Sequence, residues 1–471
     1  RRWLNERGLG RGDTIAMVLA NGAEAATAFL AVSGAAGAAP LNPAYRADEH
    51  EFYLEDLQAK ALILAAGDDG PARAVATRRG IPIIELAADP ARAGRFTLQG
   101  TGPGGSARQG GEPTAEDAAL YLHTSGTTSR PKLVPLLQRN LRASAGNIGR
   151  ALGLTAADRC LNIMPLFHIH GLIGVTASAL GNGGSVYYTP GFNALKFFGW
   201  LDEAKATWYS AVPTMHQAIL ARAGHNREAL GRQRLRLIRS SSSSLPPQVM
   251  AELEKTFGCP VIESYGMTEA CHQMSSNPLP PAERRAGTVG IAAGPEVGIM
   301  DEAGKLLPRG GVGEVVIRGA SVTPGYVNNP KANAAAFTDG WFRTGDQGVL
   351  DAGGYLTITG RLKEIINRGG EKISPREVDE VLMDHPAVLQ VVTFAMPHEK
   401  LGEEVAAAVV LREGMQASDQ DLKDFATKHL ADFKVPRKIL LLPEIPKGAT
   451  GKLQRIGLAE KLGLVAARPA S

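Results

Sequence analysis

Short apolar runs punctuate the chain. Ala61-Leu62-Ile63-Leu64 and Ile81-Pro82-Ile83-Ile84 flank a polar stretch, and Leu235-Arg236-Leu237-Ile238 and Pro260-Val261-Ile262 have the same form. Such runs, without alternation, read as strands buried on both faces. Segments 138–152 and 246–257 instead space their apolar positions at helical intervals. Strands alternating with helices predict a large layered α/β domain around a largely parallel sheet. Residues 60–86 are expected to run strand, loop, strand. Residues 15–41 are Ala/Gly-rich and broken by Asn21, Glu24 and Ser33. They are expected to be a buried helix with its exit loop rather than a membrane span. Residues 97–115 carry Gly, Pro and polar side chains without period, which reads as a surface connection.

From about residue 311 the texture changes. Runs at 312–317 and 355–359, with turns at Asp339-Gly340 and 351–354, predict a β-rich subdomain. A small α+β unit follows, with a helix at 375–383, strands at 388–394 and 405–411, a helix at 419–430 and a strand at 438–442. The expected division is an N-terminal domain over 1–360, a hinge at 361–364 and a mobile C-terminal domain over 365–471.

Length and composition narrow the class. The 471 residues exceed one typical domain, and 44% hydrophobic with 21% charged residues is ordinary for a globular enzyme. Lys and Arg number 51 against 47 Asp and Glu, a net charge of +4. That excess does not announce a nucleic-acid partner and is compatible with small anionic ligands. Cys160, Cys259 and Cys271 form neither a disulfide scaffold nor a metal-ligand spacing, which points to a reducing, cytoplasmic setting. The chain starts at Arg1 inside an apparent helix, so a preceding piece is expected. The final Arg-Pro-Ala-Ser is not a peroxisomal signal.

The strongest chemical signal is TSGTTSRPK at 124–132. Hydroxyls from Thr124, Ser125, Thr127 and Thr128 surround Gly126, and Lys132 closes the segment after a predicted strand. Such a loop can wrap a polyphosphate with N–H groups and hydroxyls, with Lys as counter-charge. It is not a Walker A spacing, and no Gly-x-Ser-x-Gly elbow occurs, which sets aside P-loop NTPases and serine hydrolases. Elsewhere, Thr268-Glu269 puts a hydroxyl beside a carboxylate, a hard-oxygen pair suited to Mg²⁺ or equally to a helix start. Asp346 reads as a residue of a tight turn.

Five segments in order resemble the adenylate-forming superfamily of acyl-CoA synthetases, luciferases and adenylation domains. They are TSGTTSRPK, YGMTE at 265–269, WFRTGD at 341–346, GRLKEIINRGG at 360–370 and PKGATGK at 446–452. The resemblance implies an ATP-dependent acid–CoA ligase that makes an acyl-adenylate and then a CoA thioester. It implies Lys452 as the cation of adenylate formation, with Thr268, Glu269 (Mg²⁺) and Lys132 beside the phosphates. ATP or AMP would be held by Thr124, Ser125, Gly126, Thr127, Thr128, Ser242, Ser243, Glu263, Ser264, Tyr265, Gly266, Asp346 and Arg361. Tyr265 would stack on adenine, Asp346 would accept the ribose hydroxyls, Lys363 would be the pivot, and Gly369-Gly370 would admit CoA.

The acid site implied by the family falls on PLFHIHG at 165–171, RSSSSSL at 239–245 and ACHQMSSNPLP at 270–280. His and Ser there favour a small polar acid over a long apolar chain. His168, His170, Ser241 and His272 are the expected acid ligands, although either His168 or His170 also fits a capping or core histidine. Arg239 could cap a strand or draw in an anion, and His216 fits packing. The wording resembles the oxalate–CoA ligase branch of plants and fungi. The expected partners are therefore a small carboxylic acid such as oxalate, ATP and CoA, in a monomer or homodimer. A ligase for another short, medium-chain or aryl acid is the alternative, and a non-catalytic nucleotide-binding protein is the alternative of another class.

Overall fold

The computed structural model describes residues 1–124, 131–446 and 453–465. Two seven-stranded sheets form the larger part. The first runs Phe96–Gly100, Ile83–Ala88, Ala61–Ala65, Thr14–Val18, Gly37–Pro40, Ala118–Thr124, Lys132–Leu137. Its inner pairs are parallel and both edge pairs antiparallel. The second runs Ile291–Ala292, His272–Ser276, Val261–Met267, Leu237–Ser240, Trp208–Ala211, Arg159–Asn162, Ser185–Tyr188. Its strands are parallel from Val261–Met267 onward and antiparallel before it.

Side chains alternate across these strands into two cores. Trp208, Leu237 and Ile262 join one cluster, and Tyr209, Ile238 and Val261 join the other. Burial on both faces explains why the sequence shows unbroken apolar runs instead of alternation. The same period of two returns Arg239 to the face of Leu237.

The β-rich part is a five-stranded antiparallel sheet of Glu296–Met300, Val312–Arg318, Trp341–Leu350, Phe337–Thr338 and Leu356–Arg361. A fourth sheet follows, of Glu371–Ile373, Ile366–Arg368, Gly402–Leu411, Val388–His398 and Lys438–Leu441, with helices Pro375–Met383 and Asp419–Thr427. The fourth sheet has its own cores, around Val378, Val405 and Leu422 on one side and Phe394, Ala406 and Ile445 on the other. It touches the larger part through Gln217 Nε2, which donates to the Leu389 carbonyl at 2.9 Å, and through Arg376, which donates to the carbonyls of Ile358 and Gly287 at 2.5 and 3.3 Å.

Three expectations need correction. Residues 15–41 are not a helix and loop but strand Thr14–Val18, helix Ala23–Ser33 and strand Gly37–Pro40. All five residues of the first strand are buried, so no period distinguishes it from a core helix. Between Ala61–Ala65 and Ile83–Ala88 lies helix Pro71–Arg78, not a loop. Pro71 occupies its first turn, where a missing N–H costs nothing. Finally, Phe96–Gly100 begins the polar stretch as an edge strand on Ile83–Ala88. Cross-strand bonding orders it where composition gives no sign.

Candidate functional site

Strands Ala118–Thr124 and Lys132–Leu137 pair antiparallel, with Thr124 opposite Lys132. The sheet thus fixes both ends of the hydroxyl-rich segment. Ser125, Gly126, Thr127 and Thr128 lie outside the described residues, as does Lys452. The Lys132 ammonium stands 4.4 Å from the centre of the Tyr326 ring, and the Tyr326 hydroxyl donates to Glu269 Oε1 at 2.9 Å. Glu269 is 6% exposed, and desolvation pushes its carboxyl up. The Tyr326 hydroxyl, Lys132 and Arg361 act the other way and favour its charged form. Tyr326 lies outside the five segments named above, and the fold brings it to Glu269.

Asp346 departs from expectation, because it sits inside strand Trp341–Leu350 rather than in a tight turn. There it pairs with Arg361 across the sheet. Arg361 Nε donates to Asp346 Oδ1 at 2.8 Å, and the Tyr265 hydroxyl donates to Oδ2 at 2.5 Å. The adjacent carboxylate strengthens the hold of the Arg361 guanidinium on its proton. Tyr265, Asp346 and Arg361 form one bonded group and Glu269, Tyr326 and Lys132 another, with the Arg361 charge acting on Glu269 from the first.

Strand Val261–Met267 links the first of these groups to the serine segment. Gly266 is required by close approach, since a Cβ there would lie 1.6 Å from the His272 carbonyl oxygen on the neighbouring strand. Ser241 donates to the Ser264 carbonyl at 3.1 Å, and the Ser264 hydroxyl to the Ser240 carbonyl at 3.4 Å. Ser243 is exposed and Thr268 half-buried. Glu263 Oε1 accepts the Leu245 N–H at 2.9 Å, while its Oε2 has no hydrogen-bond partner among the described residues.

Glu263 supplies a pH test. It is 1% exposed, and burial pushes its carboxyl from 4.5 to about 7. The folded protein therefore holds a proton that the unfolded chain releases between these values. The stabilising effect is complete below pH 4.5 and lost as pH rises through 7. Glu263→Gln should remove that slope. Urea unfolding at pH 5 and 8 should show wild type losing about 3 kcal/mol more than the variant. Parallel curves would contradict this assignment.

A second cluster gathers around His170. This residue opens helix His170–Ala177, whose hydrogen bonds follow the wider π pattern. Fully buried, it places Nε2 2.6 Å from Ser210 Oγ and Nδ1 3.1 Å from Ser242 Oγ. The His272 ring stands edge-on at 5.0 Å. Cys271 and His272 both hold positive φ, +52° and +94°, an uncommon pair for residues with side chains. Arg239 Nη2 donates to His272 Nδ1 and Gln273 Oε1. His168 is half-buried at the head of the helix, with Nδ1 3.5 Å from the His170 N–H. His216 bonds the Tyr209 hydroxyl within a core, as a packing histidine does.

Lys363 is exposed beyond the end of strand Leu356–Arg361, and Glu364 next to it pairs with Arg455 at 3.3 Å. Gly369 and Gly370 turn the hairpin between Ile366–Arg368 and Glu371–Ile373 at φ +60° and +101°, and both are exposed. Their N–H groups bond to Leu401 and Asn367, within the fourth sheet. Among the described residues no helix is long and apolar enough to cross a membrane, and no group of three or more His, Cys, Asp or Glu is placed to hold a metal ion.

Residues 2–327 match the AMP-binding enzyme family, and residues 377–452 match the AMP-binding enzyme C-terminal domain. The chain is similar to an oxalate–CoA ligase of Arabidopsis thaliana, 46% identical over 96% of this chain and 89% of the relative. It is 43% identical to an oxalate–CoA ligase of Saccharomyces cerevisiae over 96% and 87%. Its fold superposes on ATP-bound MatB from Rhodopseudomonas palustris with a TM-score of 0.87 at 30% identity, covering 98% of this chain and 90% of that one. The chain belongs to the AMP-binding family of adenylate-forming enzymes and is an acid–CoA ligase, with ATP and CoA as the family's co-substrates.

Proposed function

We propose that this ligase activates a small dicarboxylate, oxalate first. The observation that carries the proposal is the polarity of the second cluster. His170, His272, Ser210, Ser242 and Gln273 gather where the His170–Ala177 helix meets the second sheet, and a long-chain acid would need apolar walls instead. The names of the two oxalate–CoA ligases similar to this chain agree. His168, His170, Ser241 and His272 are the proposed acid ligands.

The reaction then runs in two displacements. One substrate carboxylate attacks the α-phosphorus of ATP, pyrophosphate leaves and the acyl-adenylate forms. The CoA thiol, losing its proton, attacks the acyl carbon and AMP leaves. Asp346 accepts the ribose hydroxyls, Arg361 approaches ribose or α-phosphate, and Tyr265 faces adenine beside Ser242, Ser243, Glu263, Ser264 and Gly266. Lys132 and residues 124–128 face the phosphates. Thr268 and the buried Glu269 carboxylate suit Mg²⁺ as hard oxygen donors and would hold it. When bound, the ion neutralises polyphosphate charge. Lys452 bridges the two anions that must meet, residues 361–364 form the hinge between domains 1–360 and 365–471, and Gly369-Gly370 admits the pantetheine arm.

The test is pyrophosphate release with ATP, Mg²⁺ and CoA on oxalate, malonate, acetate, octanoate and 4-coumarate. Oxalate should give the highest kcat/KM. A higher value on acetate, octanoate or 4-coumarate would refute the dicarboxylate reading.

A further inference from the structure

Arg239 is sealed inside the protein with no exposed surface. Strand alternation turns it toward the face where helix His170–Ala177 packs. Nη2 donates to Gln273 Oε1 at 3.0 Å and to His272 Nδ1 at 3.3 Å. Nε and Nη1 have no hydrogen-bond partner among the described residues. No carboxylate among them neutralises it. The Cys160 thiol beside it is held protonated by burial and supplies no counter-charge. Burial pushes the guanidinium down to about 9, so it is still a cation at neutral pH. A buried arginine is almost always paired, because an uncompensated charge in a core is strongly destabilising.

Its surroundings indicate what the missing counter-ion is. Arg239 Nη1 and His272 Nε2 converge on the backbone of Gly174, where an added Cβ would stand 3.1 and 2.7 Å from them. Ser210, which bonds His170, is the register partner of Arg239 on the next strand. The guanidinium therefore belongs to the acid-site cluster. An arginine only donates, so His272 Nδ1 must accept, and the neutral ring carries its proton on Nε2.

We propose that Arg239 is the specificity-determining residue of the acid site, a buried charge that reserves the site for acids bearing a second anionic group. It does this without touching the acid, through the field of its uncompensated charge and by holding His272 as an Nε2–H donor. The inference rests on the dicarboxylate reading above, and its test separates the two.

Oxalate and oxamate form a matched pair, since an amide replaces one carboxylate at nearly the same size. Arg239→Met removes the charge and keeps the bulk. Gln273→Glu keeps the volume and sets a carboxylate against Nη2, which neutralises the cation and keeps the core folded even if the methionine variant is not. Each should lower the oxalate-to-oxamate ratio of kcat/KM by about 10–100-fold. The loss should fall on KM for oxalate, leave KM for ATP in place, and be partly restored in Arg239→Lys. A merely structural role would move both acids and ATP together. An unchanged ratio in the folded variants, with wild type still preferring oxalate, would overturn the role of Arg239 and leave the dicarboxylate reading standing. A wild type indifferent between oxalate and oxamate would overturn both.

Discussion

Lys452→Ala should lower the first half-reaction by about 10²–10³-fold while leaving the second largely intact. A carboxylate and a triphosphate repel each other, and attack at the α-phosphorus concentrates charge on both. A single ammonium touching both partners relieves that repulsion only while they meet, so its effect appears in the transition state. Lysine suits the task as a compact charge on a long stem. Thioester formation needs no such bridge, because the adenylate carbonyl is already activated. The check is ATP–pyrophosphate exchange for the first step and CoA-dependent AMP release from synthetic acyl-adenylate for the second. Equal loss in both assays would refute the assignment.

Glu269→Gln should lower adenylate formation by about 10²-fold and raise the Mg²⁺ concentration needed for half-maximal rate. The substitution keeps the shape and the bond from the Tyr326 hydroxyl, and removes only the charge. Burial works against that charge, so removing it should not lower stability. The loss is then chemical rather than structural, and thermal unfolding of the variant should match or exceed wild type. Unaltered Mg²⁺ dependence in a folded variant would remove Glu269 from the metal site.

The ordered motifs made the family legible because each is a local run whose residues act together. The alternation of short apolar runs with helical segments made the layered α/β class legible for a similar reason. What escaped was whatever depends on partners distant in sequence. Thr14–Val18 is buried throughout, so it carries no period, and Phe96–Gly100 is a strand only because Ile83–Ala88 offers an edge. Asp346 looks like a turn residue beside Gly345 until Arg361 is seen opposite it. Tyr326 lies 57 residues from Glu269 and outside the five named segments. The sequence around Arg239 fits a strand cap as well as an anion ligand, and its sealed position and its register beside Ser210 come only from the fold.

The central claim is that an acyl-adenylate forms on a small dicarboxylate and passes to CoA. Comparing pyrophosphate release on oxalate with that on acetate, in the presence of ATP, Mg²⁺ and CoA, tests it most directly. The account predicts strong selectivity for oxalate, with one AMP and one oxalyl thioester formed for each pyrophosphate. Selectivity for acetate, or silence on every acid while ATP still binds, would contradict it.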